Sequence, residues 1–135
     1  SSGLVANAWH WSYLRHGAPQ LNGRFERLNS RRMESKDWSA WVAIKTLVEV
    51  ILRVQNVNNN EIIKFISSDK FKLDGSKGIS LSYKKWSNQL RQTILLTTSD
   101  NWITIKAPLE DFQNNNNNLD TLGISPKDIT CNKGE

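Results

Sequence analysis

Apolar positions in this chain fall into short periodic runs separated by polar punctuation, and both helical and strand periods are present. In "PQLNGRFERLN" the spacing is helical, with Leu21, Phe25 and Leu28 recurring and Gly23 as its weak point. Pro19 suits a first helical position, where its fixed φ and missing N–H cost nothing. The stretch "NSRRMES" reads as a turn, with Ser35 the expected N-cap of the next helix and Asp37 suited to the dipole of its first turn.

That next helix, "KDWSAWVAIKTLVEVILRVQN", carries the strongest pattern. Ala40, Ala43, Ile44, Leu47, Val48, Ile51 and Leu52 share one face, while Lys45, Glu49 and Arg53 form an i, i+4 charged stripe. Trp38, Trp41, Val42 and Val50 widen the apolar arc beyond that of an ordinary surface helix. A helix of this kind is covered on most sides, as between a sheet and another layer. In "VNNNEIIKFISSDKF" an Asn cap leads into a short helix with Ile62, Ile63 and Ile66 inward.

Strand-like runs flank the helical region. Gly3-Leu4-Val5-Ala6 reads as the end of a buried strand. After the Gly turns of "KLDGSKG" come "ISLSYKKW", "QTILLTTS" and "NWITIKA". In the first of these Ile79, Leu81 and Tyr83 alternate with Ser80, Ser82 and Lys84, which predicts one buried face. Ser99-Asp100-Asn101 predicts a tight hairpin between the other two. Beyond Pro108 an Asn run cannot bury enough apolar surface to offset its ordering entropy. The expected division is therefore a domain over 1–112 and an Asn-rich linker and tail over 113–135, with "LDTLGI" docking again beyond the run.

A length of 135 residues suits one domain with a real core, and no run approaches the ~20 apolar residues of a membrane span. The chain opens on Ser1 with neither an initiator Met nor a signal-peptide pattern, which reads as a fragment or processed product. A single cysteine, Cys131, excludes an internal disulfide and leaves open a free thiol or a partner outside this chain. The net charge of +5 raises nucleic acid as a partner, but the basic residues are dispersed and form no Lys/Arg block. A solvated basic face is the preferred reading, and no nucleic acid is expected.

Catalytic chemistry is hard to assemble from these residues. No G-x-S-x-G is present, and "DGSKG" lacks the length of a phosphate-binding loop and reads as a turn. His10 and His16 are six positions apart with no carboxylate between them, a poor metal spacing, so neither a metal nor a cofactor is expected. Six tryptophans remain to be explained. Trp38 and Trp41 read as core on the apolar helix, and Trp86 and Trp102 lie at strand ends. Trp9 and Trp11 occupy an irregular segment, with alternation placing both on one side and His10 on the other.

The words "GLVANAWHWSYLRHGAPQLNGRF", "WSAWVAIKTLVE", "FKLDGSKGISLSYKKWSNQLRQ" and "NNLDTLG…C" resemble the type 1 periplasmic binding proteins. These are the solute receptors of branched-chain amino-acid ABC transporters, and the likeness is to the subfamily associated with PQQ-dependent alcohol dehydrogenase systems. The resemblance implies an α/β fold, the C-terminal part of a bilobed receptor, seen here as helices plus a terminal β-hairpin and short strands. It implies a non-enzymatic periplasmic protein that closes on a small solute and docks on a membrane permease. Under it "GLVANAWH" is the last crossover between lobes. Trp9 and Trp11 would then line the cleft by apolar contact and His10 by a hydrogen bond, while Arg15 and His16 anchor the loop. It also implies that the apolar arc of the Trp38–Val54 helix lacks its covering layer in this chain. The competing readings are a standalone basic nucleic-acid- or polyanion-binding module and a small enzyme using His10 or His16.

Overall fold

A computed structural model describes residues 3–55, 57–98, 100, 103–107, 118–121 and 124–126. It is a mixed helix-and-sheet protein. A short strand, β1 (Val5–Asn7), precedes three helices, α1 (Ala18–Asn29), α2 (Ser35–Val54) and α3 (Asn59–Ile66). Among the described residues four strands follow: β2 (Ser82–Tyr83), β3 (Leu90–Arg91), β4 (Ile94–Thr97) and β5 (Ile103–Ala107), then a 3-10 turn at Asn118–Thr121. β4 is the centre of an antiparallel sheet ordered β1-β4-β5, and β2 and β3 form a separate antiparallel ribbon. Asn7 faces Leu95, and Ile94 faces Ala107 on the other side, with a bulge at Leu96/Thr97. The expected pairing of the last two strands is thus present, although Ser99 and Asn101 of its turn lie outside the described residues.

β1 is a strand as expected, but it is not buried. Leu4 and Val5 are more than half exposed, because β1 forms an edge of the sheet and no described element lies over these side chains. Its last residue is better held, with Asn7 Nδ2 donating to Thr97 Oγ1 at 2.8 Å.

α1 begins after Gly17, whose φ of +80° is accessible to glycine at little cost, and ends at Ser30. Leu21 and Phe25 pack against the core, but Leu28, in the last turn beyond it, is exposed. α2 starts one residue earlier than its expected cap implies. Glu34 is the N-cap, in a reciprocal capping box where Asp37 Oδ2 accepts the Glu34 N–H at 2.9 Å. Arg31 donates twice to Asp37 at 2.7 Å; with the Glu34 N–H, this pulls the Asp37 carboxyl down to about 2.

α2 has Trp38 and Trp41 at the core as expected, but it is covered along one side rather than most. Trp38, Val42, Thr46 and Val50 are inward, whereas Ala40, Ala43, Ile44, Leu47, Val48, Ile51 and Leu52 are exposed. Trp38 sets this rotation. Its indole is fully buried and Nε1 donates to the Gly75 carbonyl at 3.0 Å, so the i, i+4 row that begins with it must face the core. The charged stripe divides: Arg53 pairs with Glu49 at 3.3 Å, and Lys45 instead donates to the Asp74 carbonyl and sits over Trp41.

α3 has its Asn cap, Asn58 Oδ1 accepting the Asn60 N–H at 2.9 Å. Ile62 and Ile66 pack inward, but Ile63 points to solvent, and Phe65 takes an inward place edge-on to Phe71. The expected alternation over "ISLSYKKW" also fails. Leu81 is fully buried, while Ile79 is exposed and Lys84 is 3% exposed. The strand lasts only two residues before the chain turns at Lys84, whose N–H donates to the Gln89 carbonyl, so a two-residue period cannot continue through it. Beyond the Asn run the chain does return: Leu119 is buried and Asp120 pairs with Arg91 at 2.6 Å.

Candidate functional site

The segment after β1 is tied down by side chains from two helices. Ser35, released from capping, accepts the Trp9 N–H and donates to the Trp9 carbonyl, at 3.2 and 3.1 Å. From α1, Asn22 accepts the Trp9 indole N–H at 2.9 Å and donates to the Trp11 carbonyl at 3.0 Å. Two residues with no sequence signal for the purpose thereby fix the path from residue 9 to residue 11.

Trp9, His10 and Trp11 all line one open pocket of about 500 Å³, with Asn7, Met33 and the α2 start at Glu34–Lys36. They do not contribute equally. Trp9 is 1% exposed and stacked on Trp38, so it is a core residue forming the back of the pocket. Trp11 is half-buried, and the Arg32 guanidinium lies 3.6 Å from its ring centroid. His10 Nδ1 lies 2.7 Å from Ser12 Oγ and accepts the Ser12 N–H at 3.2 Å, which in a neutral ring puts the proton on Nε2. At the rim Lys36 and Glu34 form an exposed pair of little energetic weight. This arrangement offers one flat aromatic surface, a cation above it and a ring with polar edges, a chemistry of binding. His16 stands apart with a positive φ, its ring against Gly78, and the Arg15 carbonyl accepts the Ala18 N–H at the start of α1.

Lys77, in the stretch read as a turn, was not legible as special. It is 0% exposed, and its ammonium donates to the Ala8 carbonyl at 2.6 Å, Gln92 Oε1 at 2.8 Å and the Thr93 carbonyl at 2.6 Å. The same group sits 3.8 Å from the Trp38 ring centroid. Three N–H donors meet three neutral acceptors, which favours the charged form, but burial outweighs them and pulls the group from its usual 10.5 down to about 7. Lys77 therefore joins the exit of β1, the approach to β4 and α2 immediately behind the pocket. With Lys77 and Lys84 buried and Arg32 over Trp11, fewer cations are left for a basic outer face.

A second concavity, of about 450 Å³, lies between α2, α3 and the β2–β3 ribbon and is lined by Ala43, Leu47, Ile63, Ile66 and Tyr83 among others. Among the described residues no three His, Cys, Asp or Glu side chains are grouped to hold a metal, and no helix is long and apolar enough to cross a membrane. No family model, curated protein or solved structure matches this chain.

Proposed function

We propose that this chain is the C-terminal part of a type 1 periplasmic solute receptor, the binding component of an ABC-type uptake system. What supports the reading is the pocket at the exit of β1, where the strand that the resemblance assigns to the lobe crossover leads directly into Trp9, His10 and Trp11. Clefts at such crossovers are where small ligands bind, mostly by apolar contact with a few oriented polar groups. Trp11 supplies the apolar wall, His10 a hydrogen bond and Trp9 the rigid support behind them. A small solute linked to alcohol oxidation is the ligand class that the resemblance favours. Its binding would bias the two lobes toward a closed form recognised by the membrane permease in the periplasm.

The test is the reading frame that encodes this chain. Continuation upstream of the Ser1 codon through a first lobe to a signal peptide is expected. A stop codon directly before Ser1 would remove the second wall of the cleft and sink the proposal.

A further inference from the structure

The outward face of α2 is an apolar surface that the pocket leaves unexplained. Ile44, Leu47, Val48, Ile51 and Leu52 are between 39% and 67% exposed, and Ile63 of α3 is 62% exposed beside them. No charged residue falls within the stripe, whose i, i+3, i+4, i+7, i+8 spacing is that of a helix-packing seam. Its relief has two parts. Ile44, Val48, Ile51 and Leu52 form a ridge, and next to it Ala43, Leu47, Ile63, Ile66 and Tyr83 line the groove of about 450 Å³.

We propose that this face pairs with a second copy of the same chain through an antiparallel, two-fold contact between the α2 helices. A ridge and a groove side by side on one surface are what an isologous contact needs, since each copy then supplies the knob for the other's hole. A two-fold axis through Leu47 sets Ile51 of each copy over Ala43 of the other, a large side chain opposite the smallest in the groove. The stripe has no charge to oppose its own image. The area reaches the lower end of the range: the exposed parts of Ile44, Leu47, Val48, Ile51, Leu52 and Ile63 amount to roughly 600 Å² per chain, against the ~600–1,000 Å² per partner of a specific interface.

Sedimentation equilibrium of the whole chain across the micromolar range tests the pairing independently of any ligand. The expected result is a reversible monomer–dimer equilibrium, weakened about tenfold or more by Leu47→Lys and unchanged by Leu28→Lys on α1. Circular dichroism establishes that both variants are folded. In a Cys131→Ser background, Leu47→Cys should form a disulfide-linked dimer on oxidation faster than Leu28→Cys, because the two-fold holds residue 47 against itself. A monomer throughout the range overturns the proposal, leaving the face to a different polypeptide. So does a dimer indifferent to Leu47→Lys, or an open series of aggregates.

Discussion

Trp9 lies flat against Trp38, their ring planes 8° apart and their centroids separated by 6.1 Å. Both indole N–H groups are bonded, Trp9 to Asn22 and Trp38 to the Gly75 carbonyl, so the stack is fixed in its plane as well as across it. It joins the pocket segment to the helix that organises the core. The stability of the fold and the shape of the pocket therefore rest on one contact.

Truncating either ring should be severe. Trp38→Ala is expected to cost about 3–5 kcal/mol, a large part of the ~5–15 kcal/mol that holds a domain together. Trp9→Ala should fall in the same range, whereas Trp11→Ala, at a half-buried position, should cost about 1 kcal/mol. Urea denaturation of the three variants separates the supporting tryptophan from the one that faces the pocket. Equal losses at Trp9 and Trp11 would contradict that division.

Gly75 is a packing position. A Cβ there would come within 2.6 Å of Leu81 Cδ1 and 3.1 Å of Trp38 Cζ2, and both neighbours are fully buried. Gly75→Ala should lower the denaturation midpoint by the equivalent of about 1–3 kcal/mol. Gly23→Ala, with nothing near its Cβ, should raise it by a few tenths to ~1 kcal/mol through helix propensity.

Lys77 gives stability an alkaline slope. Its folded-state value, near 7, lies below the 10.5 of the unfolded chain, so between these limits the unfolded state binds more protons. Unfolding free energy should therefore rise with pH across that window, opposite in sign to a lysine stabilised by a carboxylate. Urea midpoints from about pH 7 to about pH 9 measure the slope, and Lys77→Met should flatten it. A wild-type slope of zero would mean that the three acceptors offset burial entirely.

Much of this architecture can be read from the residues, and the parts that cannot have identifiable causes. Helix positions followed from local chemistry: Pro19 at a first turn, an Asn cap before α3, apolar periodicity through α2. The β4–β5 pairing followed from alternation and a polar turn. Tertiary partners were not legible. Asn22 and Ser35 hold the pocket segment from 13 and 26 residues away, and nothing local distinguishes them from other surface Asn and Ser residues. Lys77 bonds a carbonyl 69 residues away, from a turn whose sequence shows only flexible and polar residues. The trio Trp9, His10 and Trp11 was legible as a cluster, but the burial of Trp9 depends on a Trp38 stack that no spacing rule foretells.

The rotation of α2, which apolar periodicity alone leaves open, can be tested with two valines on one helix. Val48 and Val50 have the same side chain and neighbouring positions in one helix interior, yet Val48 is 50% exposed and Val50 is 0% exposed. More large aliphatic residues share the Val48 face. The structure favours the Val50 face because that row contains Trp38, which buries more area than any aliphatic and has a hydrogen bond to satisfy. Val50→Ala should then cost about 1–3 kcal/mol through the cavity it leaves. Val48→Ala should stay within about 0.5 kcal/mol of the parent when measured dilute enough to keep the chain monomeric, since helix propensity gained offsets the little burial lost. Thermal or urea unfolding of the pair decides the rotation. The reverse order would return the Ile44–Leu52 stripe to the core and leave Trp38 outside it.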